Sequence, residues 1–201
     1  SRQAKGTNIV NLLQLEQDEK VTAMINVKEF DEGSFLVMAT RNGTVKKTPL
    51  EDINSSRKGG IIVISLEEGD ELIGVKKTDG TREVVIGSHN GKAIRFHEND
   101  VRPMGRVAHG VRGILLEDDD HLVGISLVRP HGSLLTITEK GYGKRTDLSE
   151  YKLQLRGGKG VTNYNITEKT GKVVGIKVVD ENDDIILTSS NGIIIRFAAE
   201  D

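Results

Sequence analysis

The sequence predicts an all-β protein of propeller-like architecture, built from four-stranded blades, with about four blades' worth in its 201 residues. Three observations carry this. A glycine-containing turn followed by a basic residue recurs about every 50 residues, in Arg41-Asn42-Gly43-Thr44-Val45-Lys46-Lys47, His89-Asn90-Gly91-Lys92-Ala93-Ile94-Arg95, Lys140-Gly141-Tyr142-Gly143-Lys144-Arg145 and Asn191-Gly192-Ile193-Ile194-Ile195-Arg196. Two further glycine landmarks keep the same period. No stretch holds apolar residues at helical spacing over three turns, so helix is confined to a turn or so near Pro49 or Asp100.

Each unit opens on an apolar run suited to a strand: Phe35 to Thr40, Glu83 to Gly87, Leu134 to Thr138 and Ile185 to Thr188. The run enters the glycine turn, and the basic run leaves it, so the pair reads as a hairpin. A tight primed turn of Asn-Gly type needs positive φ, which those residues tolerate best, with Lys140-Gly141 as the imperfect copy. The second landmark, Gly60, Gly110 and Gly160 with Gly6 as a fourth copy, opens the apolar runs Ile61 to Leu66, Val111 to Leu116 and Val161 to Ile166. The third closes each unit in Leu72-Ile73-Gly74-Val75, Leu122-Val123-Gly124-Ile125 and Val173-Val174-Gly175-Ile176. These elements give one repeat domain, residues 1–201, divided into a partial blade 1–30, blades 31–80, 81–131 and 132–183, and a partial blade 184–201. No unit of this length buries its apolar face alone, so neighbours must stack. The end fragments read as cut ends of a larger ring in preference to halves of one closing blade.

Composition narrows the function. No apolar run approaches the length of a membrane span, so no membrane partner is expected, and a cytoplasmic chain is. With no cysteine, disulfides and thiolate metal sites are excluded. The net charge of −2 conceals segregation: acids collect in Glu67 to Glu71, Glu117 to Asp120 and Asp180 to Asp184, and bases follow the turns or fill glycine-rich loops. Screening confines each field to about 8 to 10 Å, so a nearly neutral chain can carry a basic rim.

Lys47, Arg95, Arg145 and Arg196 occupy one position in four successive units and are expected to project as a spaced row of positive charge. Just before each second-landmark glycine lies a basic loop: Arg2-Gln3-Ala4-Lys5-Gly6, Ser56-Arg57-Lys58-Gly59-Gly60, Arg106-Val107-Ala108-His109-Gly110 and Gln154-Leu155-Arg156-Gly157-Gly158-Lys159-Gly160. Such a rim suits the duplex backbone, which offers about one negative charge per 1.7 Å of axis. Aromatics at 3% leave little for single-strand stacking, so phosphate contact without sequence readout is expected. The expected DNA contacts are Arg2, Lys5, Lys46, Lys47, Arg57, Lys58, Arg95, Arg106, Arg112, Lys144, Arg145, Arg156, Lys159 and Arg196. The plain alternative for any one of them is a solvated outer-face charge.

The last loop resembles the gyrase A box, a Gln-basic-Arg-Gly-Gly-basic-Gly motif, with Leu155 where the motif holds a base. Asn11 to Glu16, Phe30-Asp31-Glu32-Gly33, Ile94-Arg95-Phe96-His97, Val101 to Arg106 and Gly141 to Thr146 extend the likeness, so that from Ser1 to Phe197 the chain resembles the C-terminal domain of the A subunits of bacterial DNA gyrase, a type IIA topoisomerase. The resemblance implies a β-pinwheel whose blades exchange a strand with their neighbours. It implies a domain that binds, bends and wraps duplex DNA in support of ATP-dependent negative supercoiling, near the nucleoid. The remainder of the gyrase A subunit, together with the gyrase B subunit, would be its protein partners. The family's full box belongs to a first blade ahead of the segment that Ser1 resembles, so it is expected to be absent here. The topoisomerase IV counterpart and a protein-interaction propeller are the other readings.

No catalytic site is expected in the chain. His89, His97, His109, His121 and His131 lack ligand spacing, and none of Tyr142, Tyr151 and Tyr164 follows an arginine as the family's DNA-attacking tyrosine does. With no phosphate-binding P-loop, no cofactor is expected here, and ATP and magnesium use is implied for other parts of the parent enzyme.

Overall fold

A computed structural model describes residues 4–8, 11, 13, 15, 19–55, 57 and 59–199. Among these the regular structure is β, with single turns of 3-10 helix at Leu50–Ile53, Glu98–Asp100 and Leu148–Glu150. The strands are β1 Phe35–Thr40, β2 Thr44–Pro49, β3 Leu72–Thr78, β4 Glu83–Ser88, β5 Lys92–His97, β6 Val111–Arg112, β7 Leu122–Leu127, β8 Ser133–Thr138, β9 Gly143–Asp147, β10 Val161–Thr162, β11 Val173–Val179, β12 Asp184–Thr188 and β13 Ile194–Ala198. They form four sheets, ordered β3-β1-β2-β6, β10-β5-β4-β7, β11-β8-β9 and β12-β13. No helix among the described residues is long and apolar enough to cross a membrane.

The four hairpins share one turn, and it differs from the expected primed form. Ala39 faces Val45 and Gly87 faces Ala93 across their hairpins. The left-handed residue of each loop is its glycine: Gly43, Gly91, Gly141 and Gly192 have φ between 78° and 90°, whereas no Asn among the described residues does. A type I turn ending in a left-handed residue needs glycine at that one place, and Lys140-Gly141 is therefore a full copy.

The second landmark marks a strand lent to another blade. Chain from the 81–131 unit supplies β6 to the edge of the first sheet, where Val111 pairs with Val45, and chain from the 132–183 unit supplies β10 to the second, where Val161 pairs with Ala93. Each of these two blades thus reaches four strands by borrowing. The expected long strands shrink to two residues, and residues 61–66 form none; Ser65 instead lies along the Val107–Ala108 loop, its hydroxyl donating to the Val107 carbonyl at 2.6 Å. Gly110 explains the landmark: with φ +106° it turns the lent strand onto β2 so closely that a Cβ would meet the Val45 carbonyl oxygen at 2.6 Å. At the inner ends, a Cβ on Gly74 would meet Ile125, and one on Gly124 would meet Ile176 at 2.9 Å. Gly74 and Gly124 thus admit an isoleucine from the next blade's strand, whereas Gly175, the third copy, faces no such neighbour.

The core follows from this stacking. Its main cluster joins Val37, Ala39 and Val45 of the first sheet to Val84, Ile86, Ile94 and Phe96 of the second, and a second cluster joins Val85 and Ala93 to Leu134, Leu148 and Val178. Apolar surface is buried between blades, which makes the seam the unit of stability.

Candidate nucleic-acid interface

Two of the four periodic cations, Lys47 and Arg95, do not project, whereas Arg145 and Arg196 are exposed. Lys47 is buried; its Nζ donates to the Glu98 carbonyl at 2.9 Å, lies 3.7 Å from the Glu98 carboxylate and sits 4.9 Å from the centre of the Phe35 ring. Arg95 donates from Nε to Glu83 at 2.6 Å and from Nη1 to the Leu148 carbonyl at 2.7 Å. Arg145 is exposed, yet its Nη1 reaches the Ala199 carbonyl at 2.5 Å. In each case the acceptor lies 51 to 54 residues ahead, in the next blade. Lys47, Arg95 and Arg145 are thus clasps across seams, each reaching ahead to a backbone carbonyl outside the strands, with Phe35 and Glu83 holding the first two locally. Arg196 pairs with Asp184, at the register position where Arg95 pairs with Glu83, and remains exposed.

Lys46 is fully buried, with Nζ donating to the carbonyls of Val63 and Arg106, both at 2.6 Å. Burial holds the Lys46 ammonium below its ordinary lysine value. The Lys47 ammonium is lowered for the same reason, against the opposing pull of Glu98. Both sites are closed to a DNA phosphate, which corrects the expectation for Lys46 and Lys47. Arg95 is largely engaged as well. The repeat gave no warning of this: the column of Lys46 holds Ile94, Lys144 and Ile195, and of the four only Lys46 and Ile94 are buried.

The glycine-rich loops are placed differently. Pro103 bridges to Lys47 and Leu153 to Arg95 on the outer edges of β2 and β5, and the chain returns to those edges at β6 and β10. Residues 105–110 and 155–160 between these contacts therefore lie on the outer rim, one loop per blade. Arg112 and Lys159 are exposed there, as are Arg102 and Lys152, a pair 50 residues apart that was not among the expected DNA contacts. Lys5, Arg57 and Lys144 are exposed too, the last with Nζ 5.6 Å from the centre of the Tyr164 ring. Arg106 is half-buried and lends its carbonyl to Lys46. Arg156 is half-buried, its Nε donating to the Asp100 carbonyl at 2.9 Å and its Nη1 to that of Arg112 at 3.0 Å, so it shapes the loop. Arg2 and Lys58 lie outside the described residues.

A second series of clasps has no motif to announce it. Arg82 donates to the Val128 carbonyl at 3.1 Å, and Arg129 to the Val178 carbonyl at the same distance while pairing with Asp180 and Asp183. The acidic loops also serve the architecture. Asp70 accepts from the Asn42 backbone N–H at 2.9 Å and Asp120 from that of Asn90 at 2.8 Å, each fixing a hairpin turn. Among the described residues no group of three or more His, Asp or Glu side chains could hold a metal ion.

Comparison with known proteins agrees with this architecture. The family model for the DNA gyrase C-terminal domain, a beta-propeller, matches residues 1–28, 34–79, 82–129, 132–180 and 183–201. The chain is 47% identical to the DNA gyrase A subunit of Salmonella typhimurium over 196 residues, covering 98% of this chain and 22% of that protein. It is 48% identical to the DNA gyrase A subunit of Clostridium acetobutylicum over 200 residues, covering 24% of it. The chain thus spans less than a quarter of the length of these curated relatives. A solved DNA gyrase A C-terminal domain superposes with a TM-score of 0.89 at 30% identity, over 99% of this chain and 67% of that one. The C-terminal domain of a DNA topoisomerase IV gives 0.89 at 29%, over 98% of this chain and 62% of that one.

Proposed function

This chain belongs to the DNA gyrase C-terminal domain family, and from that premise we propose that it binds duplex DNA along its outer rim, bending and wrapping it without reading its sequence. The observation that carries this is the seating of the basic glycine-rich loops on the outer edges of successive blades, with Arg102, Arg112, Lys152 and Lys159 exposed. Cations on a rigid curved edge meet phosphates at a fixed curvature. Bending a 20–30 bp site costs on the order of 1–6 kcal/mol, which several such contacts offset.

Within the longer protein, the wrapped duplex would be handed to strand passage elsewhere, in support of negative supercoiling driven by ATP. The protein partners this assigns are the remainder of the gyrase A subunit, with the gyrase B subunit beside it, and ATP and magnesium use lies with them. The curated relatives favour the gyrase reading over topoisomerase IV, since both are gyrase proteins at 47–48% identity.

Two measurements test the proposal. Duplex affinity should fall steeply between about 50 and 200 mM salt, because phosphate contacts release counterions. Nicked plasmid religated with the chain bound should show a shifted linking number. Binding with an unchanged linking number would reduce the function to contact without wrapping, and no duplex binding at all would favour a protein-interaction propeller.

A further inference from the structure

Leu155 stands at the tip of the rim loop of the second sheet, and its side chain is 78% exposed. The loop around it is tied down. The Gln154 N–H donates to the Arg95 carbonyl at 2.9 Å, the Gly157 N–H to the Gly113 carbonyl at 2.6 Å, and the Leu115 N–H to the Gly158 carbonyl at 2.9 Å. Arg156 adds its two bonds to Asp100 and Arg112 from within the loop. A mobile loop could fold a leucine back onto the blade, whereas this one holds it in water between the exposed cations Lys152 and Lys159. The preceding rim loop repeats the arrangement with Val107, 68% exposed and two positions further along, between Arg102 and Arg112. Turn geometry requires neither side chain.

An isolated exposed leucine needs no explanation. An apolar tip on each of two clamped loops, each flanked by cations on a surface read as a DNA track, has a specific physical use. Apolar side chains inserted between base steps from the minor groove unstack them and kink the duplex, while neighbouring cations hold the phosphates on either side.

Resting on the DNA-binding reading above, we propose that Leu155 and Val107 are minor-groove wedges, each unstacking one base step where the duplex crosses a blade seam. The bend is then concentrated at the seams instead of spread evenly along the rim. Pyrimidine–purine steps unstack most readily, so the wedges also give an otherwise sequence-independent track a preference for TA and CA steps in phase with the blades.

The test uses the 201-residue chain and linear duplexes carrying 2-aminopurine at a TA step, the reporter being moved along the duplex in a series. Saturating wild-type chain should raise the reporter's fluorescence at positions spaced by one blade, and the double variant Leu155→Ala, Val107→Ala should lose that rise. Its affinity should stay within about threefold, because phosphate contacts dominate binding. Leu155→Arg should also lose the rise at its seam while steepening the salt dependence. Both positions are exposed, so the variants keep the fold, which their unfolding curves will verify. Binding without any fluorescence rise, or a rise that survives in the double variant, overturns the wedges and leaves the DNA-binding reading standing. Failure of the wild-type chain to bind duplex overturns both.

Discussion

The clasp cations and the rim cations share the same blades and the same sign of charge, yet they do opposite things. Lys47 and Arg95 turn inward across a seam and end on carbonyls of the next blade, whereas Arg112 and Lys159 stand in solvent on the loops just outside them. Recurrence in every unit belongs to the first set. In a repeat protein the feature that must recur is the one that joins each unit to the next, so a cation found at the same offset in every unit marks the seam before it marks a ligand. The rim cations need no fixed offset, since a phosphate backbone tolerates charge anywhere along its path: Arg102 and Lys152 keep the 50-residue spacing, whereas Arg112 and Lys159 do not.

The most severe test of this division is Arg95→Ala. It removes the partner of a half-buried Glu83 carboxylate and the donors to the Leu148 and Tyr151 carbonyls. We expect a loss of about 2–4 kcal/mol in unfolding free energy. The salt dependence of duplex affinity should stay the same. An unchanged denaturation midpoint together with a shallower salt slope would mean that the periodic row is the DNA track after all.

Gly160→Ala should come next in size. The residue has φ +69°, and a Cβ there would press on the Ala93 carbonyl as the lent strand β10 meets β5. Left-handed strain and the lost approach together should cost about 2 kcal/mol. Gly175→Ala is the control, since its φ is not left-handed and its Cβ would meet nothing within 4 Å. If the two variants were equally stable, the lent strand would not depend on this glycine.

These glycines also show what was legible in the sequence. The all-β class, the period and the hairpins could be read because Gly43, Gly91, Gly141 and Gly192 sit in the left-handed conformation that favours glycine, and such constraints are local. Strand lending could not be read from the residues alone, since Val111 and Val161 pair with strands about 65 to 70 positions earlier and nothing in their own neighbourhood names the partner. Only the resemblance supplied it. The site was half legible for a related reason. Glycine-rich loops identify themselves by composition, but whether a lysine is buried depends on what the next blade brings to it. Lys46 finds two carbonyls, from Val63 and Arg106, whereas Lys144, in the same column, stays in water beside Tyr164.

On the rim, Arg112→Ala and Lys159→Ala should each leave stability within about 0.5 kcal/mol, as befits exposed positions. Each should lower the slope of log affinity against log salt by about one, and the effect should be the same for unrelated duplex sequences. Lys152→Ala should match them, which would extend the track to a residue outside the motif. Salt slopes equal to the parent's in all three variants would remove these loops from the DNA path.

The smallest effect concerns the seam between the second and third blades, where the His89 and His121 rings stack with centroids 4.4 Å apart. His89 Nδ1 lies 2.6 Å from the Val173 carbonyl, so that nitrogen carries the proton and donates. Burial, then Arg41 and His89, hold the His121 imidazole below its ordinary value; Asp120 pulls the other way and Lys172 adds to the lowering. A histidine that resists protonation in the folded state binds fewer protons there than in the unfolded chain. Its contribution to stability is therefore complete above the unfolded value of about 6.5 and lost as pH falls through the lower folded value. Chemical denaturation at pH 7.5 and pH 5.5 should show a smaller loss on acidification for His121→Asn than for the parent chain, because asparagine has no proton to take up. The carboxylates held low at Asp79, Asp147 and Asp183 titrate below this window and are common to both chains. An identical acid sensitivity in the variant would show that protonation of His121 does not weaken the seam.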